Sequence, residues 1–128
     1  MSVVFQKIIR KEDLGRNPQV LYVFSDNRAR KGYIGQAHEM RGEKNGVGVA
    51  VSNSEFSTYT DEPGAVVRQC KAIDKDMKRL FAHIQKGGVV VWPSDGIGCG
   101  TAELQKNSPM TFDHLQRKLL SLIHLGRL

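Results

Sequence analysis

"VVVWPSDGIGCGTAEL", residues 89–104, decides how this chain is read. Its opening run, Val89 to Trp92, is β-branched and aromatic without a break. A strand of that composition has both faces covered and belongs inside a sheet. A turn follows at once, and then Gly96, Gly98 and Gly100 stand at alternate positions. A backbone so bare of side chains lets N–H groups approach an anion and form a concave nest of donors. A diphosphate suits such a nest, with Thr101 to Leu104 supplying a helix N-terminus beside it. The pattern is neither the dinucleotide fingerprint G-x-G-x-x-G nor a Walker loop, since Gly-Lys-Ser/Thr is missing. The same glycines also suit a tight turn that needs positive φ.

An earlier stretch has the same plan. "QVLYVF" (19–24) is continuously apolar after Gln19 and reads as a central, parallel strand; "SDNRARKGYIG" (25–35) follows it as a loop. Asp26 and Asn27 at its start suit ribose hydroxyls, and equally an Asx turn or a helix cap. Gly32 and Gly35 can again bring backbone close to a ligand.

Working outward, "SVVFQKII" (2–9) and "VGVAVS" (47–52) read as further strands. Residues 10–18, with Gly15 and Pro18, read as a connection or helical turn. Residues 36–41 open a short helix that Gly42 and Gly46 stop. The polar, turn-rich segment 53–64 reads as a mobile lid. From Ala65 to Lys86, Val66, Val67, Cys70, Ile73, Met77, Leu80, Phe81 and Ile84 form one apolar stripe, and Gly87 and Gly88 end the helix. Pro109 starts a last helix with Phe112, Leu115, Leu119, Leu122 and Ile123 on its apolar face. Apolar strands alternating with amphipathic helices predict an α/β sheet covered on both sides, in one domain spanning residues 1–128. Ligands of such sheets collect outside the carboxyl ends of the strands, which is where loops 25–35 and 93–103 fall.

The chain has 128 residues, enough for one core that removes roughly two-thirds of the unfolded surface from water. No apolar run approaches the roughly 20 residues of a membrane span. Charges stand too early in "MSVVFQKIIRKEDLG" for a secretory signal. Cys70 and Cys99 lie far apart and match no metal spacing, so the expectation is a cytoplasmic protein with reduced thiols. The formal net charge of +6 favours anionic partners such as nucleotides, nucleic acid or an acidic protein surface, and "RARK" (28–31) is the densest basic group. The four histidines cluster with no Cys or carboxylate, so no metal site is expected. Cys99 inside the nest reads as a small buried filler, and Trp92 as core. Asp95 and Glu103 are the carboxylates flanking the nest, hence the candidate general bases for any hydrolysis.

With both loops in view, "VLYVFSDNRARKGYIGQAHEMR" (20–41) and "VVVWPSDGIGCGTAEL" (89–104) resemble the corresponding parts of macrodomains, the ADP-ribose-binding fold. Macrodomains carry an Asn-containing, glycine-rich loop after an early strand and a second glycine loop after a late one. The two loops clasp the diphosphate and distal ribose. Ile97-Gly98-Cys99-Gly100, with Glu103-Leu104 after it, is similar to the branch containing the terminal ADP-ribose glycohydrolase. Val23-Phe24-Ser25-Asp26-Asn27, Gly35-Gln36-Ala37, Met40-Arg41-Gly42-Glu43 with Asn45, and Pro93 to Gly100 together resemble small phage and bacterial proteins with V-F-G-D-N, G-x-G-G-Q-A, M-R-G-E-x-N and P-x-D-G-I-G-T-G motifs.

The resemblance implies a three-layer α/β/α sandwich with a mixed sheet. It implies a protein, phage-encoded and acting in the host cytoplasm, that takes ADP-ribose or a related nucleotide, or an ADP-ribosylated target. It implies no cofactor. Asp13, Asp26, Asn27, Gly32, Gly35, Gly96, Ile97, Gly98, Cys99 and Gly100 would hold the ligand, Asp13 at the adenine. ADP-ribosyl hydrolysis is the associated reaction, but the chain departs from the glycohydrolase branch. "SNSE" (52–55) has no lysine where that branch carries one, and Ala102 replaces its aspartate, with Glu103 one place late. A displacement of that kind breaks an attack geometry that needs reacting atoms roughly 3–3.5 Å apart. Binding therefore carries over better than catalysis. The alternative is an accessory protein that grips nucleic acid or a host protein, supported by the charge, "RARK" and the lysine-rich face of helix 65–86.

Overall fold

The computed structural model describes residues 2–128. In chain order the elements are β1 (Val3–Gln6), α1 (Lys11–Arg16), β2 (Val20–Asp26), α2 (Ala37–Met40), β3 (Gly46–Ala50), β4 (Ser52–Ser54), β5 (Ser57–Thr58), α3 (Pro63–Gln85), β6 (Val89–Pro93), α4 (Leu104–Asn107) and α5 (Pro109–Gly126). Four strands form one sheet in the order β1-β6-β2-β3, and every neighbouring pair is parallel. The two continuously apolar segments, β2 and β6, occupy its two interior positions, as strands buried on both faces must. Antiparallel pairing, expected as part of a mixed sheet, is confined to a separate ribbon of β4 and β5.

Helices cover both faces, giving the three-layer α/β/α arrangement. On one face Val23, Val49, Val90 and Trp92 meet Ile73, Met77 and Leu80 of α3 and Leu115 and Leu122 of α5. On the other, Tyr22, Phe24 and Val91 meet Leu14 of α1 and Ala37 and Met40 of α2. The second layer is thin because its helices have only 6 and 4 residues. It does not reach across β1, where Val4 remains exposed; Phe5, on the other face with Val3, is exposed as well.

The ends of α3 follow from its sequence. Pro63 stands in its first turn, where the missing N–H costs nothing. At the other end Gly87 takes φ +85, its N–H bonds Ile84 O, and the Gly88 N–H bonds His83 O. These are the paired bonds of a Schellman stop, which need the left-handed backbone that glycine adopts freely.

Residues at the free edge of β3 leave little of it unpaired. Arg79 donates to Lys44 O at 2.7 Å, the Gly46 N–H to Glu43 O at 3.1 Å, and the Ala50 N–H to Asp76 Oδ2 at 2.8 Å, while Arg30 lies over Gly48 O. Buried Asn45 locks the start of that strand, donating through Nδ2 to the carbonyls of Leu14, Asn17 and Val20.

Segment 53–64 is not a free lid. Tyr59 is fully buried and donates its hydroxyl to Ala50 O at 2.9 Å. Buried Gln69 accepts the Thr60 N–H and donates to Thr60 O and to Thr111 of α5. Only the tip at Phe56 stands far into solvent, 88% exposed. No helix among the described residues is long and apolar enough to cross a membrane.

Candidate functional site

Parallel strands deliver their following loops to one rim of the sheet. The loop after β2 and the loop after β6 therefore face each other there, across an open cleft of about 430 Å³. Asp26 to Ala37 border one side, Asp95 to Ala102 the other, and Val51, Ser52 and Glu55 close the third. The two loops are also bonded together. The Gly98 N–H donates to Ser25 Oγ at 2.9 Å, Gln36 Nε2 donates to Gly96 O at 3.2 Å, and Gln36 Oε1 accepts the Ser25 N–H at 2.7 Å. Gln36 thus holds both loops at a fixed separation.

Of the expected ligand residues, Asp26, Asn27, Gly32, Gly35, Gly96, Cys99 and Gly100 line the cleft, as does Asp95 of the two expected bases. Cys99 is exposed there rather than a buried filler. Among the described residues the N–H groups of Cys99, Gly100, Thr101 and Ala102 have no acceptor within the protein, so the nest of donors is open.

Four expected site residues lie elsewhere. Asp13 sits in the first turn of α1, where its Oδ2 accepts the Arg10 N–H at 2.9 Å and Gln6 Nε2 at 3.1 Å. That carboxylate caps a helix and does not border the cleft. Ile97 points into the core and is 2% exposed. Gly98 is buried at φ +76, where a side chain would press on Leu104 and Val51, so this glycine serves packing. Glu103 takes a left-handed backbone, φ 42, and its exposed carboxylate stands 3.9 Å from Lys106. It does not line the cleft. Nor does Thr101 to Leu104 form a helix N-terminus for an anion. The helix starts at Leu104, whose N–H is already given to Gly98 O at 2.8 Å.

Asp26, at the edge of the cleft, is tied into ion pairs within its own loop. Its side chain is only 4% exposed and forms ion pairs with Arg41 through Oδ1 and with Arg30 through Oδ2. Oδ1 also accepts the Asn27 N–H at 2.8 Å. Arg30 continues to Asp76 of α3 at 2.6 Å, and Arg41 donates to Gly32 O at 2.6 Å. Partial burial opposes the charge on Arg30, but hydrogen bonds and attraction from Asp76, then Asp26, outweigh it and push its pKa up. Asn27 Nδ2 donates to Lys31 O at 2.8 Å. Asp26 and Asn27 therefore build the loop that carries Gly32 and Gly35.

Glu55 is a cleft residue that sequence reasoning missed. It comes from the turn between β4 and β5, and a side chain on Gly32 would run into its carboxyl group. The φ of +100 favours glycine at position 32, and any side chain there would also push the Glu55 carboxyl aside. Neither Glu55 nor Asp95 has an ion-pair partner among the described residues. Lys31, Gln36 and Arg41 were visible only as members of a motif, because nothing in their spacing shows that they converge.

A model of the "Family of unknown function (DUF7831)" matches residues 4–118, the whole of both loops and the sheet beneath them. The chain belongs to this family. No curated protein and no solved structure matches it. The matched span excludes the first residues and the end of α5; the cleft falls wholly within it, and so does the core except Val3 and Leu122 with the end of α5.

Proposed function

We propose that the cleft binds ADP-ribose or a closely related nucleoside diphosphate. One observation carries this reading. Two glycine-bearing loops face each other across an open space, with the N–H groups of Cys99 to Ala102 unspent on its wall. Backbone donors in a concave loop are a recurring device for phosphate oxygens. The cleft volume of about 430 Å³ lies in the range of small-molecule sites, about 300–1,000 Å³. Exposed Lys31 adds an unpaired positive charge to the wall. The resemblance of both loops to those of macrodomains narrows the anion to the diphosphate of ADP-ribose.

In this arrangement the amides of residues 99–102 meet the diphosphate from one side and the backbone at Gly32 and Gly35 from the other. Hydrolysis of an ADP-ribosyl bond would need a carboxylate to activate water. Asp26 is held between two arginines, so that role falls to Asp95 or Glu55. The free thiols Cys70 and Cys99 suit a reducing compartment, and the proposed place of action is the cytoplasm, that of the host if a phage encodes the protein.

Titration calorimetry of the folded protein with ADP-ribose, ADP and pyrophosphate tests the reading. The expected result is saturable heat with ADP-ribose, weaker heat with ADP, and loss of both on Gly100→Val. A folded sample that gives no heat with any of the three overturns it.

A further inference from the structure

The geometry points to a second anionic partner on a separate surface: the phosphodiester backbone of a nucleic acid, laid along α3. Arg68, Lys71, Lys75, Lys78, Arg79 and Lys86 are all exposed. At 3.6 residues per turn they fall within an arc of roughly 100°. They form one basic ridge, roughly 27 Å long at 1.5 Å per residue. None of them has an ion-pair partner among the described residues.

The acids of α3 do not relieve this charge. Asp74 and Asp76 flank the arc and are engaged on its two sides, Asp74 with His114 at 2.6 Å and Lys118 at 3.5 Å, Asp76 with Arg30 and the Ala50 N–H. Like charges at i,i+4, as at Lys71, Lys75 and Arg79, repel one another in the free protein. The helix dipole favours a cation only in the last turn, so it accounts for Lys86 and not for Arg68, Lys71 or Lys75. Apart from the Arg79 bond to Lys44 O and the dipole at Lys86, folding gives no reason for this ridge, whereas a bound polyanion does.

The ridge runs into a recess at its lower end. This hollow of about 380 Å³ lies beside the start of β2, at the opposite end of the sheet from the nucleotide cleft, and is lined by Lys44, Arg79, Lys86 and His83 with no carboxylate. The Arg79 guanidinium bonds the backbone carbonyl of Lys44, and both residues line the hollow. Phosphates can therefore be met along the helix and again at its end. Contacts of this kind read charge and spacing, so binding is expected to be indifferent to base sequence and strongly salt-dependent.

Fluorescence anisotropy of the full chain with labelled single-stranded and duplex oligonucleotides of mixed sequence, over a series of salt concentrations, tests this. Expected is binding that weakens steeply with salt. In the triple variant Lys71→Gln, Lys75→Gln, Lys78→Gln the log–log salt slope should fall by roughly 2 to 3. The control triple Lys7→Gln, Arg16→Gln, Arg127→Gln removes equal charge elsewhere and should change it little. Which oligonucleotide binds more tightly identifies the source of the backbone. No binding of either at about 100 µM protein in low salt overturns the proposal. So does equal weakening by both triples. Binding of labelled polyglutamate with no oligonucleotide binding would overturn the proposal and assign the ridge to an acidic protein instead.

Discussion

The Gly98 N–H donates to Ser25 Oγ at 2.9 Å, joining the loop after the last strand to the end of the second across 73 residues of sequence. This bond uses one amide of the glycine loop for architecture. The following four amides have no acceptor among the described residues, so the loop's glycines differ in what their backbone does.

That difference predicts opposite outcomes for two similar substitutions. Gly98→Ala places a methyl group 3.1 Å from Leu104 Cβ and 3.4 Å from Val51 Cβ at φ +76. It should cost about 1–3 kcal/mol of stability by overpacking and strain. Gly100→Ala meets nothing within 4 Å and should change stability by less than about 0.5 kcal/mol. Urea denaturation of both variants decides between this assignment and one in which either glycine is merely a turn residue.

Gln36 acts as a spacer between the loops through its bonds to the Ser25 N–H and Gly96 O. Gln36→Ala should lose about 1–2 kcal/mol and weaken nucleotide binding, because the two walls no longer keep their separation. Gln36→Glu keeps the acceptor for Ser25 and loses the donor to Gly96, so it should fall between. Calorimetric affinities set beside unfolding free energies would show whether the order holds.

Asp26 balances Arg41 and Arg30 from a buried position. Asp26→Asn leaves both guanidinium groups without that anion and should destabilise by about 3 kcal/mol. Asp95→Asn, at an exposed carboxylate without a partner, should leave the melting temperature nearly unchanged. Any hydrolase activity should respond to Asp95→Asn or Glu55→Gln while the fold persists.

Stability should fall in alkali. Burial pushes the Tyr59 phenol well above its ordinary value, and burial raises Tyr22 and the Cys70 thiol as well. A raised acid keeps its proton in the folded state after the unfolded chain has lost it. Its contribution is therefore complete below the unfolded pKa and declines above it. The decline should begin near pH 9.0, the ordinary thiol value, and steepen past 10.0, the ordinary phenol value. Tyr59→Phe should flatten the profile above pH 10.0 and lose about 1 kcal/mol at neutral pH with the bond to Ala50 O. Chemical unfolding across this range reads both effects.

The parts of the molecule legible in the sequence are those governed by local pattern. Continuous apolar runs marked β2 and β6 as interior strands, and the three- and four-residue spacing with Gly87-Gly88 marked α3. The shared rim also followed, because parallel strands leave it no choice. What escaped depends on partners distant in sequence. Nothing local shows that Gln6 and Arg10 take the Asp13 carboxylate, or that Arg30 and Arg41 both pair with Asp26. Glu55 enters the cleft only because Tyr59 and Gln69 anchor its segment, which composition presents as a loose loop. Cys99 is exposed because Ile97, two residues before it, takes the inward position.

The occupied edge of β3 has a consequence for crowding. A foreign strand arriving on that flank finds Lys44 O, Gly48 O and the Ala50 N–H already spoken for, whereas the β1 flank presents bare backbone beside exposed Val4 and Phe5. Edge-on association is therefore favoured on the β1 side. Two copies joined through β1 would turn their partly occupied β3 flanks outward, which favours a pair over a fibre.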